Sequence, residues 1–182
     1  KHIMRYPQLF ATLAIESKLK SGIKKGIIWH TQGSGKTALA YYNVFYLRDY
    51  YQKHHNTIAK FYFIVDRLDL ATQAKNEFES RGLKVEVVSS KEDFIKNIKT
   101  AGATASTAGQ QTITVVNIQK FSEESISSVS DYSINVQRVY FLDEVHRSYN
   151  PYGSFHAKLK PSDPNAVLIG LTGTPLISGD YT

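Results

Sequence analysis

The chain has 182 residues, 42% of them apolar and 21% charged, with no cysteine and a formal net charge of +6. That length supports one domain with a sizeable core, and the composition excludes a disulfide framework or a thiol-ligated metal. No apolar run approaches the roughly 20 residues of a membrane span, and Lys1-His2-Ile3-Met4-Arg5 does not open a signal peptide, so a cytoplasmic protein is expected. The charge is uneven: residues 1–25 hold six Lys/Arg against Glu16 alone, a balance of +5, and the remainder is +1. Such a segment could touch phosphates, which releases counterions, but from charge alone a solvated helix face is the favoured reading.

Past that segment, strands alternate with helices. Gly26-Ile27-Ile28-Trp29-His30-Thr31 is a short apolar run ending in glycines, the pattern of a buried strand. From Gly35 to about Gln52 the chain has no Gly or Pro after Gly35 itself and reads as a helix whose Leu39, Tyr42, Phe45, Tyr46 and Leu47 pack on more than one side. Lys60 to Asp66 reads as a strand, followed by a helix through Arg81 that Gly82 ends. Val85–Val88 is a third strand and Lys91–Lys99 an amphipathic helix. Residues 100–111 are small, polar and aperiodic, which predicts a surface loop. Strands follow at Thr112–Ile118, Val139–Leu142 and Ala166–Leu171. Continuous apolar strands separated by helices predict a parallel sheet covered on both faces. Ligands of such sheets sit beyond the carboxyl ends of the strands, here Thr31–Thr37, Asp66, Asp143–His146 and Thr172–Thr174.

His30-Thr31-Gln32-Gly33-Ser34-Gly35-Lys36-Thr37 joins a predicted strand to a predicted helix, the context of a phosphate-binding loop. Gly33 and Gly35 let successive N–H groups converge on a phosphate at a helix N-terminus. Lys36 would reach the β- and γ-phosphates, and the Thr37 hydroxyl would ligate Mg²⁺. The strict pattern begins with Gly, where this chain has His30. Val139-Tyr140-Phe141-Leu142-Asp143-Glu144 is an apolar strand ending in two carboxylates. Phosphoryl transfer to water needs a metal clamp and a group that deprotonates the water, so Asp143 would help hold Mg²⁺ and Glu144 would be the general base. His146 follows as a sensor of the γ-phosphate, with Thr172 and Thr174 as hydroxyl partners.

Together these segments resemble the first RecA-like motor domain of superfamily 2 helicases and translocases. Within that superfamily they are most similar to the R (restriction and motor) subunit of type I restriction–modification enzymes. The similarity rests on Ile28-Trp29-His30-Thr31-Gln32-Gly33-Ser34-Gly35-Lys36-Thr37, on Val65-Asp66-Arg67-Leu68-Asp69-Leu70 with Gln73, on Ile118-Gln119-Lys120-Phe121, on Asp143-Glu144-Val145-His146-Arg147-Ser148 and on Gly170–Pro175. The resemblance implies an α/β, RecA-like P-loop NTPase fold over residues 26–182, preceded by an N-terminal segment, 1–25. It also implies ATP and Mg²⁺ as cofactors, with Gln32, Gly33, Ser34, Gly35, Lys36 and Thr37 around the phosphates. By the same likeness Gln8 would read the adenine with Tyr6 or Arg5 stacking, unless Arg5–Gln8 merely starts a helix.

Arg67, Gln119 and Lys120 would track double-stranded DNA; Asn117 stands where the family usually has Thr. The implied parent activity is ATP-dependent DNA translocation coupled to endonucleolytic cleavage, that of a type I site-specific deoxyribonuclease with methyltransferase and specificity subunits. A second RecA-like domain with its arginine and a nuclease domain have no room in this length, so the sequence reads as a fragment of a larger chain. Two alternatives stand beside this: the motor half of another superfamily 2 helicase or translocase, or a small P-loop kinase. A kinase would not need Glu144 beside Asp143 and would carry an Arg-rich lid, whereas residues 100–111 hold no Arg.

Overall fold

The computed structural model describes residues 3–30, 33, 35–99, 111–118, 136–143 and 163–173. Among the described residues there are four helices and six strands: α1 (Tyr6–Lys20), β1 (Lys25–Trp29), α2 (Lys36–His55), β2 (Ile58–Val65), α3 (Leu68–Ser80), β3 (Lys84–Val88), α4 (Lys91–Lys99), β4 (Thr112–Asn117), β5 (Val136–Asp143) and β6 (Val167–Thr172). The strands form one sheet in the order β1-β6-β5-β2-β4-β3, and every pairing is parallel. Apart from Gln111, the loop expected at 100–111 lies outside the described residues. Among the described residues, no helix is long and apolar enough to cross a membrane.

Alternation along the central strands makes two cores. Phe61, Phe63 and Val65 of β2 pack with Val139 and Phe141 of β5 under α1, α2 and α3. Tyr62 and Ile64, with Tyr140 and Leu142, face the other way onto Phe94 and Ile98 of α4. Both faces of β2 and β5 are therefore dry, which is why these strands read as continuous apolar runs.

Boundaries differ from the sequence expectation where tertiary pairing extends an element. β5 starts at Val136, three residues before the expected Val139, because Val136 pairs with Ile58 at the start of β2. α2 runs on to His55, its last turn holding Lys53, His54 and His55, and the Lys53 charge suits the negative end of a helix. It stops at Asn56, whose φ of 47° is left-handed. β1 is shorter than expected, ending at Trp29, although the His30 N–H still donates to the Thr172 carbonyl at 2.9 Å.

Helix α1 inverts the usual pattern. Gln8, Ala11, Thr12 and Ile15 are buried, while Tyr6, Leu9, Phe10 and Leu13 are exposed. The buried polar positions meet α2. Asn43 Nδ2 donates to Thr12 Oγ1 at 3.0 Å, and the Tyr46 hydroxyl donates to the Glu16 carboxylate. The basic residues of the leading segment are partly neutralised locally, as Lys20 lies 2.6 Å from Glu16.

On the opposite face, two cations cap the end of α4. Lys60 and Arg138 sit side by side in the β2–β5 register. Lys60 Nζ donates to the Asn97 carbonyl at 2.9 Å, and Arg138 donates to the Ile98 carbonyl at 3.2 Å. Both carbonyls lie in the last turn of α4, where positive charge is favoured. Arg138 is almost wholly buried, with Asp163 at 3.9 Å, and burial pushes the Asp163 carboxyl up despite that guanidinium.

Burial also pushes the Lys60 ammonium down, to about 8 from its ordinary 10.5, with Arg138 adding to the effect. Between these values the folded chain holds fewer protons on Lys60 than the unfolded chain, so stability rises with pH across that window. Wild type should therefore gain stability relative to Lys60→Met as pH rises from about 8 to 10.5, and the two should run parallel below pH 8. Denaturant melts across that range test this; a constant difference between the two proteins would contradict a buried, charged Lys60.

Candidate functional site

Parallel pairing brings the carboxyl ends of the strands to one edge. Trp29 is level with Thr172, Leu171 with Asp143, and Val65 with Asn117. Asp66 follows immediately after β2, at the same edge. Every sequence-predicted site residue that the structure describes lies at this edge.

The loop between β1 and α2 depends on two glycines with left-handed backbones, Gly33 at φ 78° and Gly35 at φ 86°. Gly35 is also the N-cap of α2, so it offers no side chain to the first turn, and no acidic residue lies in that turn. In α3 and α4, by contrast, Asp69 or Glu92 and Asp93 occupy the first turn. The amino end of α2 thus has no side-chain cap and no acid in its first turn, and the positive end of its dipole favours negative charge there. Lys36 and Thr37 stand in that first turn, both half-buried.

Lys36 Nζ lies 3.9 Å from Asp143 Oδ1, with side-chain exposures of 11% and 16%. This is the contact that joins the two halves of the predicted site. β6 runs between their strands, and Thr172 at its end is 1% exposed.

Gln8 reaches the same loop from α1. Its Oε1 accepts the Arg5 N–H at 3.0 Å, and its Nε2 donates to the Gly35 carbonyl at 3.4 Å. A Cβ built on Gly35 would stand 2.6 Å from Gln8 Nε2, so the glycine admits this approach as well as the turn. Arg67 is half-exposed beside Asp66, at 3.9 Å. Gln32, Ser34, Gln119, Lys120, Glu144, His146 and Thr174 lie outside the described residues.

Sequence reasoning missed Thr12 and Asn43, which sit behind Gln8 and are buried to 1% and 0% exposure. A signal was present: Gln8, Thr12 and Glu16 recur every four residues and so share one helix face. A cavity of about 360 Å³, bounded by Leu19, Tyr50, Tyr51, Val136, Asp163 and Asn165, opens at the opposite, amino-terminal end of the sheet, away from this chemistry.

Comparison with known proteins agrees with the geometry. The family described as SWI2/SNF2 ATPase matches residues 7–182. The endonuclease subunit of the type I restriction enzyme SsaAORF53P of Staphylococcus saprophyticus is 30% identical over 177 residues, 94% of this chain and 17% of that protein. The putative type I restriction enzyme MjaIXP endonuclease subunit of Methanocaldococcus jannaschii is 29% identical over 169 residues, 86% of this chain and 15% of its own length. The chain thus spans less than a fifth of either relative. Among solved structures, a nuclease-deletion mutant of the type ISP restriction–modification enzyme LlaGI with a DNA substrate mimic superposes with a TM-score of 0.59 at 17% identity, over 97% of this chain and 18% of that one. The Pyrococcus furiosus Hef helicase domain does so with a TM-score of 0.59 at 20% identity, over 93% and 33%. The fold is that of a RecA-like helicase domain, as the motif order implies.

The two loop glycines should respond differently to alanine. At Gly33 a Cβ meets nothing within 4 Å among the described residues, so there Gly33→Ala carries backbone strain, about 1–2 kcal/mol. Gly35→Ala carries that strain and also displaces Gln8, and should cost clearly more. Thermal denaturation of both variants measures this; equal losses would mean that the Gln8–Gly35 approach is no constraint.

Proposed function

Because the chain belongs to the SWI2/SNF2 ATPase family, we propose that it binds Mg²⁺–ATP between its glycine loop and the end of β5. We further propose that it serves as the first motor domain of a type I restriction enzyme R subunit. In that setting it drives ATP-dependent translocation along double-stranded DNA, coupled to endonucleolytic cleavage, together with methyltransferase and specificity subunits. The observation that carries the reading is the 3.9 Å approach of Lys36 to Asp143 beneath the uncapped amino end of α2. The relatives named as type I restriction enzyme endonuclease subunits support the wider setting.

The residues divide the work by position. Backbone N–H groups of Gln32, Gly33, Ser34 and Gly35 surround the β-phosphate, and Lys36 turns from Asp143 to the β- and γ-phosphates. Among the described residues, no group of three or more His, Cys, Asp or Glu side chains is placed to hold a metal by itself. The Thr37 hydroxyl and Asp143 carboxylate are hard oxygen donors, a partial set that the phosphates of a nucleotide complete, and this fits Mg²⁺. When bound with ATP, Mg²⁺ offsets the charge of the β- and γ-phosphates. Glu144, next after Asp143, takes the proton of the attacking water. His146 registers the γ-phosphate and passes its state through Thr172 and Thr174. Arg67, Gln119 and Lys120 follow the DNA backbone.

Base recognition falls to Gln8. A side-chain amide has two donors and two acceptor positions, and Arg5 and Gly35 use one of each. The remaining donor and acceptor match the N7 and amino edge of adenine, the pairing by which Gln recognises that base elsewhere.

Trp29 is the only tryptophan, 61% exposed at the end of β1, and so reports on the loop that follows it. Titrating the wild type with Mg²⁺–ATP should change its fluorescence, and Lys36→Ala should lose that response while keeping the fold by circular dichroism. In the full-length parent, Glu144→Gln should retain ATP binding but lose DNA-stimulated hydrolysis, because an amide takes no proton from water. Unchanged ATP affinity in Lys36→Ala, or normal turnover in Glu144→Gln, would overturn the assignment concerned.

A further inference from the structure

Gln8, Thr12 and Glu16 form a polar line on α1, and each finds a partner on α2 or the loop before it. Gln8 Nε2 donates to the Gly35 carbonyl, Asn43 Nδ2 to Thr12 Oγ1 at 3.0 Å, and the Tyr46 hydroxyl to Glu16. The middle rung is the driest, with Thr12 1% and Asn43 0% exposed. Its direction is set by its surroundings. Asn43 Nδ2 also donates to the Leu39 carbonyl at 2.9 Å, so that end of the amide must be nitrogen. Thr12 Oγ1 accepts from it, and its single proton goes to the Gln8 carbonyl, 2.9 Å away. Donation therefore runs one way, from α2 through Thr12 to the backbone of Gln8.

The apolar contacts of Ala11 and Ile15 with the core are non-directional and leave the rotation of α1 about its axis weakly specified. A buried hydrogen bond between the helices selects one register. We propose that Thr12 and Asn43 are positioning residues for base selection: they hold α1 at the rotation that presents the spare donor and acceptor of Gln8 to the adenine ring. Neither touches the nucleotide. The inference rests on the reading of Gln8 as the adenine contact, and it adds that recognition of the base depends on a bond one turn further along α1.

The test compares base-dependent with base-independent binding. Wild type, Gln8→Ala, Thr12→Val, Thr12→Ser and Asn43→Leu are each titrated with Mg²⁺–ATP and with Mg²⁺–tripolyphosphate, followed by Trp29 fluorescence. Selectivity is the ratio of the two Kd values. Gln8→Ala, Thr12→Val and Asn43→Leu should each reduce it by about tenfold, the order of one lost hydrogen bond, and Thr12→Val and Asn43→Leu should retain tripolyphosphate affinity. Thr12→Ser keeps the hydroxyl and should restore it. If Asn43→Leu fails to fold, the Val and Ser pair at position 12 carries the test. Selectivity that collapses in Gln8→Ala but stays at the wild-type value in Thr12→Val would overturn the positioning role alone. Unchanged selectivity in Gln8→Ala would remove the adenine reading, and the positioning role with it.

Discussion

Lys36 and Asp143 come from strands that are not neighbours. β6 lies between β1 and β5, so the first turn of α2 must reach across the end of β6 for the two charges to meet. That geometry depends on the parallel register of three strands, on the two left-handed glycines, and on α2 starting directly after them. Both side chains are largely out of water, where an ion left alone costs several kcal/mol. Their mutual approach relieves this; on the proposed reading, the phosphates of a nucleotide would offer Lys36 more charge than one carboxylate does. The same edge carries Thr172 and Asp66, at the ends of neighbouring strands.

The seam between α1 and α2 is of another kind. A buried hydrogen bond contributes about 1 kcal/mol net, no more than a well-packed apolar side chain would in the same place. The polar rungs at Gln8, Thr12 and Glu16 are therefore poorly explained by stability. They specify direction: each has one partner geometry, whereas leucines at these positions would accept several. The outward face of α1, with Tyr6 and Phe10 stacked at 6.4 Å, leaves apolar surface where an ordinary amphipathic helix would be polar.

This inversion explains what was and was not legible in the sequence. β2, β5 and β6 read correctly because both their faces are buried and their apolar runs are continuous. The glycine loop was legible because only glycine readily adopts the two backbone conformations at Gly33 and Gly35, and Lys36-Thr37 follows at once. α1 is legible only as a solvated helix face or a helix start, since Tyr6, Phe10 and Leu13 face outward and Gln8 and Thr12 share the buried face with Ala11 and Ile15. Asn43 looks like any mid-helix asparagine until Thr12 is brought against it, 31 positions away. The capping of α4 by Lys60 and Arg138 needs the β2–β5 pairing, a long-range fact that no local pattern contains. Glu144 and His146 are legible from their place after Asp143, and their roles remain proposals.

The most direct measurement is a crystal structure of the chain with Mg²⁺ and a non-hydrolysable ATP analogue. The phosphates should lie against the backbone of Gly33 to Thr37, with Lys36 Nζ moved from Asp143 onto them and the metal between Thr37 and Asp143. A nucleotide bound elsewhere, for instance in the cavity by Tyr50 and Asp163, with Lys36 still on Asp143, would contradict the assignment of this edge as the ATP site.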